Sequence, residues 1–272
     1  MYKLVAIDLD GTLLNSGKRI SDENKNTLRL AMEKGVKIVV CSGRIFSGAR
    51  IFALEIGTNG PLIACNGAII KDLETEELLY TSTLGMEDSC KIIDICRRED
   101  IYFHAYIGDT MYTEKLDYSS LFYWERNQEL PEEDRIDIQI VESMKKLLSE
   151  IPTPVAKFVV ICKDNEKLFR IRKLVEQIEG VTVVSSGQDN FEVVNAGVGK
   201  GAALKFLAER LGIRREETMA IGDNENDISM LEYAGLSIVM ENGEPFVKEL
   251  ADFITVSNNE NGVAYAIRKF IL

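Results

Sequence analysis

The chain has 272 residues, of which 46% are hydrophobic, so it can form one large domain or two with substantial cores, and disorder is not expected. Its formal net charge of −12 argues against non-specific binding to nucleic acid or to anionic membranes, and an anionic substrate would need a local positive site. No apolar run reaches the ~18 residues of a membrane span, and the first strand pattern begins too early for a signal peptide, so we expect a cytoplasmic protein.

The first predicted strand, residues 4–7, is apolar and β-branched, which is typical of a strand buried on both faces of a parallel sheet. Asp8, Asp10, Gly11 and Thr12 follow it, at the sheet edge where open α/β sheets bind ligands. Two neighbouring carboxylates repel each other unless a cation or a shared proton compensates, and Mg²⁺ prefers oxygen ligands. The pattern indicates a magnesium site, with a solvated turn after an edge strand as the alternative.

The second predicted strand covers residues 36–41, after a helix over residues 22–34. Ser42, Gly43 and Arg44 follow directly, where the next helical pattern starts. A hydroxyl and backbone N–H groups at a strand-to-helix turn attract an anion, because the helix dipole favours negative charge there. This turn therefore predicts an anion site, and the alternative is an ordinary serine N-cap.

A third short strand is predicted over residues 62–65, and Asn66 follows it at what we expect to be the same sheet edge. Asn66 is either a site residue or only a turn former. The apolar segments 69–70 and 78–80 flank a polar stretch and predict a hairpin.

The pattern changes from about residue 82, where amphipathic helices begin to alternate with short strands. Helices are predicted over residues 86–99, 118–128, 143–150 and 165–179, and strands over residues 101–107, 156–162 and 181–185. This predicts a separate α+β or α/β folding unit of roughly 100 residues. We assign its aromatic residues and the single histidine, His104, to structure rather than to a site.

A strand pattern resumes over residues 191–194, and a glycine-rich segment with Lys200 then opens a helix. A lysine in the first helical turn opposes the helix dipole, so its placement calls for a reason such as an adjacent anion. The segment also matches the G-x-G-x-x-G pattern of dinucleotide-binding folds, with Asp223 at the distance of a ribose-binding acid. That alternative would leave Asp8 and Asp10 without a role.

The predicted strand over residues 218–221 delivers Asp223, Asn226 and Asp227 to the sheet edge. Their oxygens could ligate a metal, and the alternative is an acidic N-cap. Strands near residues 235–240 and 252–255 and a helix from about Asn261 complete the sheet and its covering layer.

The cysteines and the histidine argue against several kinds of covalent, metal and catalytic site. The five cysteines form no C-x-x-C pair and have apolar neighbours, which indicates reduced thiols rather than disulfides or zinc ligands. With one histidine, a Ser-His-Asp triad does not fit, so proton transfer falls to carboxylates.

Taken together, the motifs at residues 8–14, 42–44, 197–201 and 222–227 resemble those of the haloacid dehalogenase-like phosphohydrolases, and among these the Cof-type phosphatases with a type IIB cap. The resemblance covers nearly the whole chain, with the motifs in the family's order. It implies an α/β fold, in which a Rossmann-like parallel-sheet core (residues 1–82 and 188–272) carries an inserted α/β cap (residues 83–187). The long gap between Ser42 and Lys200 is where the insertion must lie.

The resemblance also implies roles for individual residues. Asp8 would be the nucleophile that forms an aspartyl-phosphate, and Asp10 would be the general acid and then the general base. Mg²⁺ would bind Asp8, the backbone carbonyl of Asp10 and Asp223. The other implied residues are those that hold the phosphoryl group (Leu9, Ser42, Gly43, Lys200 and Asn226) and those that support the site (Thr12, Arg44, Asn66 and Asp227).

The expected function is therefore a Mg²⁺-dependent phosphatase of a small phosphorylated metabolite, with sugar phosphates as the leading class and with neither nucleic acid nor membrane as a partner. The module at residues 83–187 would close over the site. A phosphomutase of the same superfamily, which would retain and return the phosphate, is the nearest alternative. A non-enzymatic phosphometabolite-binding protein is the other, and the sequence carries no signal for an oligomeric state.

Overall fold

The computed structural model describes residues 1–58, 60–151 and 153–272 as strands, helices and their connections. The strands are β1 (Leu4–Ile7), β2 (Lys37–Val40), β3 (Pro61–Ala64), β4 (Ile69–Asp72), β5 (Leu78–Thr81), β6 (Tyr102–Ile107), β7 (Thr110–Thr113), β8 (Asp137–Ile140), β9 (Val155–Ile161), β10 (Val181–Val184), β11 (Asn190–Asn195), β12 (Thr218–Gly222), β13 (Leu236–Val239) and β14 (Phe253–Ile254). The helices are α1 (Asp22–Glu33), α2 (Phe46–Glu55), α3 (Met86–Arg98), α4 (Tyr118–Asn127), α5 (Met144–Glu150), α6 (Asn165–Val175), α7 (Lys200–Arg210), α8 (Ile228–Tyr233), α9 (Pro245–Lys248) and α10 (Gly262–Phe270).

The chain divides into two compact units. The first comprises Met1–Arg44, Ala49–Tyr80 and Gly199–Leu272. Its main sheet has the strand order β14-β13-β12-β1-β2, and all of its pairings are parallel. Every residue of β1 is buried, as its apolar sequence predicts, and β1 lies between β12 and β2. The residues that follow β1 and β12 therefore emerge side by side at the carboxyl edge of the sheet.

The third strand lies differently from the expectation. β3 belongs to a small separate sheet of order β3-β4-β5, in which β3 and β4 are antiparallel, and this sheet contains the predicted hairpin. β3 meets the main sheet through a parallel bridge between Cys41 and Ile63. The Ser42 N–H donates to the Ile63 carbonyl at 2.9 Å, and the Asn66 N–H donates to the Ser42 carbonyl at 3.1 Å. Asn66 therefore reaches the turn after β2 even though β3 is not a full member of the main sheet.

The second unit comprises Ile45–Gly48 and Thr81–Val198. Its sheet has the order β10-β11-β9-β6-β7-β8 and is antiparallel except for the β7–β8 pair. Apolar side chains from α3, α5 and α6 pack against one face of this sheet and form its core. The predicted fold class, a parallel α/β core with a separate inserted sheet, is confirmed.

The second unit differs in three details from its sequence-based prediction. It extends to Val198 rather than to residue 187, because β11 pairs with both β10 and β9 and so folds into this sheet. The strands β7 and β8 were not predicted, because they are short and lack a continuous apolar run. Helix α6 ends at Val175 rather than at residue 179.

Among the residues that the structure describes, no helix is both long enough and apolar enough to cross a membrane.

Candidate active site

All the predicted site residues belong to the first unit. Asp8 directly follows β1, is only 5% exposed, and continues the sheet by donating its N–H to the Ile221 carbonyl at 3.0 Å. Its Oδ1 accepts a hydrogen bond from Lys200 Nζ at 2.6 Å. Burial, together with the charges of Asp227 and Asp223, raises the pKa of Asp8 well above its usual value, against the lowering effect of Lys200. Asp8 is thus a fixed carboxyl whose ionisation depends on nearby positive charge.

Lys200 is the first residue of α7 and is completely buried. Its Nζ donates to Asp8 Oδ1 and to Asp227 Oδ1, both at 2.6 Å. Burial alone would lower the pKa of Lys200, but the charges of Asp227 and Asp8 raise it above its usual value. Two carboxylates are therefore the anions beside this unfavourably placed helix-start lysine.

A close backbone approach fixes the start of α7. Gly67 has a φ of 97°, and a Cβ at this position would collide with the carbonyl of Gly199, the residue that caps the helix. A larger residue at position 67 would push the loop away from α7. The packing of this loop therefore helps to place Lys200 between its carboxylate partners.

Asp223 follows β12, as predicted, and lies against the turn after β1. Thr12 Oγ1 donates to Asp223 Oδ1 at 2.7 Å. Gly11 has a φ of 85°, and a Cβ there would collide with the Asp223 carboxylate, so this turn requires glycine. Burial and the charge of Asp227 raise the pKa of Asp223 to about 7. Asp223 is thus packed directly against the backbone that carries Asp8 and Asp10.

Asp227 holds this arrangement together and is completely buried. Its Oδ2 accepts hydrogen bonds from the Asp223 N–H at 2.9 Å and the Asn224 N–H at 3.1 Å, while its Oδ1 accepts from Lys200. These contacts engage both oxygens of Asp227. Asp227 therefore links the start of α7 to the backbone that follows β12.

The carboxylates of Asp8, Asp223 and Asp227 form a group that fits a divalent cation. They are buried, and one oxygen of each lies within 4.8 Å of the others. Three carboxylates beside the single ammonium of Lys200 leave two uncompensated negative charges in a buried site when all are ionised. Carboxylate oxygens are the donors that Mg²⁺ prefers, so the donor set and the charge both suit this ion.

The Asp10 side chain has different partners. Arg44 donates to it in a bidentate pair, from Nε to Oδ2 at 2.7 Å and from Nη2 to Oδ1 at 2.8 Å. Lys18 Nζ also donates to Oδ1, at 2.7 Å. Although burial would raise the pKa of Asp10, the hydrogen bonds and charges of Arg44 and Lys18 hold it well below its usual range. Asp10 is therefore an ionised carboxylate in this structure.

The predicted anion-binding residues lie in a connected group. Ser42 is buried, and its Oγ accepts from the Arg44 N–H at 3.2 Å. Asn66, in the left-handed region with a φ of 57°, accepts at its Oδ1 from Asn226 Nδ2 at 3.2 Å. The Leu9 side chain is fully buried, so only its backbone groups could reach a phosphate. Gly43 lies in the same turn and is half-buried.

Two residues that the sequence did not single out as site residues contact the site. Lys18 pairs with Asp10, and Asn242 Nδ2 donates to the Gly11 carbonyl at 2.8 Å. Nothing in the sequence separates Lys18 from an ordinary solvated lysine. The loop that carries Asn242 also contacts Asp223, because the Glu244 N–H donates to its carbonyl at 2.9 Å.

Comparison with known proteins places this geometry in context. Residues 5–267 match the model of a family described as haloacid dehalogenase-like hydrolase. The chain is 34% identical to the phosphatase YwpJ of Bacillus subtilis (strain 168), over 99% of this chain and 100% of that protein. It is also 34% identical to the 5-amino-6-(5-phospho-D-ribitylamino)uracil phosphatase YwtE of the same organism, over 99% and 98% of the two chains. A solved haloacid dehalogenase-like hydrolase from B. subtilis is similar at a TM-score of 0.89 and 33% identity, over 98% of this chain and 99% of that one.

Proposed function

The chain belongs to the haloacid dehalogenase-like hydrolase family and is a phosphatase, and we propose that it hydrolyses small phosphorylated metabolites, sugar phosphates foremost, in a Mg²⁺-dependent reaction. The observation that carries this proposal is the buried group in which Lys200 bridges Asp8 and Asp227 beside Asp223. A nucleophilic carboxylate with an adjacent fixed cation suits the transfer of a phosphoryl group, which depends mainly on position and charge.

Asp8 is the proposed nucleophile. Its oxygen forms a bond to phosphorus while the ester bond to the leaving oxygen breaks, and the product is an aspartyl-phosphate and an alcohol. Lys200, fixed at 2.6 Å from Asp8 Oδ1, offsets the repulsion between this carboxylate and the incoming phosphate. The Leu9 and Gly43 backbone N–H groups, the Ser42 hydroxyl and the Asn226 amide are the proposed donors to the phosphoryl oxygens.

Asp10 is the proposed proton carrier. It gives a proton to the leaving oxygen in the first step and takes one from the attacking water in the second. The ionised form held by Arg44 and Lys18 is the form that the second step requires. We expect these contacts to loosen when substrate binds, because the first step requires the protonated form.

Mg²⁺ fits the carboxylate group and would be held by Asp8, Asp223 and the Asp10 backbone carbonyl, with Asp227 orienting them. When bound, it supplies positive charge that offsets the charge of the transferred phosphoryl group. The Thr12 and Asp227 contacts orient the Asp223 carboxylate and backbone for this role.

The substrate class is supported by a relative. The name of YwtE specifies a phosphate on a ribityl chain, which is a phosphomonoester of a polyol, and YwtE matches the present protein over nearly its full length.

The proposed location is the cytoplasm. All five cysteines are free thiols, which supports a reducing compartment of this kind.

The test is phosphate release from a panel of sugar phosphates, phosphorylated cofactors and nucleotides, with Mg²⁺ and after exhaustive chelation. We expect release from sugar phosphates that stops on chelation and is absent in Asp8→Asn. Asp22→Asn, at an exposed position on α1, is the matched control. Free phosphate as the product distinguishes a phosphatase from a phosphomutase, which would yield an isomeric ester. Full turnover by Asp8→Asn, or by the chelated enzyme, would refute the proposal.

A further inference from the structure

The segment that carries Lys18 is a turn fixed by Asn15. Asn15 Oδ1 accepts hydrogen bonds from the N–H groups of Gly17 at 2.9 Å and Arg19 at 3.1 Å. The Lys18 N–H donates to the Asn15 carbonyl at 2.9 Å, and the Asn15 N–H donates to the Arg19 carbonyl at 3.0 Å. The turn is therefore closed by backbone and side-chain bonds within five residues of chain, and the direction in which Lys18 leaves it is fixed.

Lys18 occupies a backbone conformation that disfavours it. Its φ is 56°, in the left-handed region, where a residue with a Cβ is less stable than glycine by about 1 kcal/mol. Glycine would suit the backbone of this turn better, so a contact made by the lysine side chain is needed to account for the residue at this position. That side chain reaches Asp10 Oδ1 at 2.7 Å.

The donors around Asp10 are distributed unequally between its two oxygens. Oδ1 accepts from both Lys18 and Arg44, and this fills the two lone-pair sites of a carboxylate oxygen. Among the described residues, Oδ2 accepts only from Arg44 Nε. The remaining acceptor site of the carboxylate is therefore on Oδ2, and Lys18 is the residue that makes the two oxygens unequal.

We propose that Lys18 is a positioning residue for hydrolysis of the phosphoenzyme, because with Arg44 it fixes Asp10 so that Oδ2 accepts the proton of the attacking water. In this step the water oxygen forms a bond to phosphorus, the bond between phosphorus and the Asp8 oxygen breaks, and its electron pair returns to Asp8. The proton of the water passes to Asp10 Oδ2. The inference rests on the proposed function, since it refines the second step of that reaction.

The role of Lys18 differs between the two chemical steps. Formation of the phosphoenzyme uses Asp10 as an acid, so it does not need the ionised carboxylate whose Oδ1 accepts two hydrogen bonds. Breakdown of the phosphoenzyme needs an oriented base, and general base catalysis contributes about 10²–10⁴-fold. Loss of one of the three donors should forfeit part of that contribution, so we expect breakdown to slow by about tenfold.

The experiment uses the Mg²⁺-loaded enzyme with p-nitrophenyl phosphate under single-turnover conditions with enzyme in excess. Rapid acid quenching gives the rates of phosphoenzyme formation and decay separately. In Lys18→Met we expect decay to fall by about tenfold and formation to change by less than about twofold. Lys18→Arg should restore most of the decay rate, because it replaces the charged donor.

Two further variants separate positioning from folding. Lys25→Met removes a lysine from exposed ion pairs on α1 and should leave both rates unchanged. Lys18→Gly relieves the left-handed strain, so it should keep the thermal stability of the wild type while showing the slow decay of Lys18→Met. Equal decay in Lys18→Met and Lys25→Met, or an equal fall in formation and decay, would overturn the inference. Absence of a phosphoenzyme in the wild type would instead refute the proposed function.

Discussion

Replacement of Lys200 by methionine should remove activity and also destabilise the first unit. Methionine keeps an unbranched side chain of nearly the same length but leaves Asp8 and Asp227 without the ammonium that each contacts at 2.6 Å. Breaking a buried ion pair by removing one partner typically costs about 3–5 kcal/mol. At about 2–4 °C per kcal/mol, the metal-free variant should melt roughly 6–20 °C below the wild type.

The assay is thermal unfolding in chelator, followed by circular dichroism. Lys205→Met is the control, because Lys205 lies on the same helix and its side chain is 60% exposed. Adding Asp227→Asn to Lys200→Met removes one of the stranded charges and should recover part of the loss. Lowering the pH should also reduce the loss, since protonation neutralises the carboxylates. If Lys200→Met melted within 2 °C of Lys205→Met, the buried ion pair would not have the energetic role inferred here.

Three further predictions concern other charged groups. The pKa of Asp223 is raised from 3.8 to about 7, so the folded state holds the Asp223 proton more tightly than the unfolded chain does. The free energy of unfolding, measured by denaturation in chelator, should therefore fall as the pH rises from about 4 to about 7. Saturating Mg²⁺ should remove this trend. Lys157 and Glu192 form a buried ion pair at 2.7 Å in the second unit. In urea denaturation, Lys157→Met should lower the free energy of unfolding by about 3–5 kcal/mol, and the double variant Lys157→Met with Glu192→Leu should lower it by less. An equal loss in both variants would contradict the inferred contribution of the pair. Asp10→Asn should accumulate phosphoenzyme with p-nitrophenyl phosphate, visible as a burst of nitrophenol, because that leaving group needs little protonation. If neither a burst nor acid-quenched phosphoenzyme were detected, Asp10 would not be the base assigned here.

Some of this structure follows from local sequence. The apolar run of β1 followed by Asp8 was enough to predict a buried parallel strand and a polar group at its carboxyl end, because both depend on neighbouring residues. The position of Lys200 at a helix start was enough to suggest a nearby anion. The identity of those anions was not, since Asp8 and Asp227 lie 192 and 27 residues away along the chain.

Other features depend on pairing that the local sequence does not encode. β3 has the composition of a buried strand, but pairing with β4 assigns it to a separate sheet. β8 is only four residues long, and its two isoleucines, Ile138 and Ile140, form an alternating pattern too short to identify a strand, so its pairing with β7 is what reveals it. Lys18 becomes a site residue only through the turn that Asn15 closes, and the sequence alone shows a lysine in a polar stretch.

Asp8 and Asp10 are two residues apart, yet the structure gives them opposite electrostatic surroundings. Burial and two neighbouring carboxylates raise the pKa of Asp8, although Lys200, which Asp8 shares with Asp227, acts in the opposite direction. Arg44 and Lys18 instead lower the pKa of Asp10. Neighbouring groups whose surroundings separate their pKa values in this way are suited to different roles in proton transfer and attack. Asp10 already has the positive charge that keeps it ionised, whereas Asp8 shares the single charge of Lys200 with Asp227, so further positive charge at the carboxylate group would favour the ionised, nucleophilic form of Asp8. The dependence on a divalent cation should therefore arise from the nucleophile as well as from the substrate, and chelation should suppress formation of the phosphoenzyme even for an activated ester such as p-nitrophenyl phosphate.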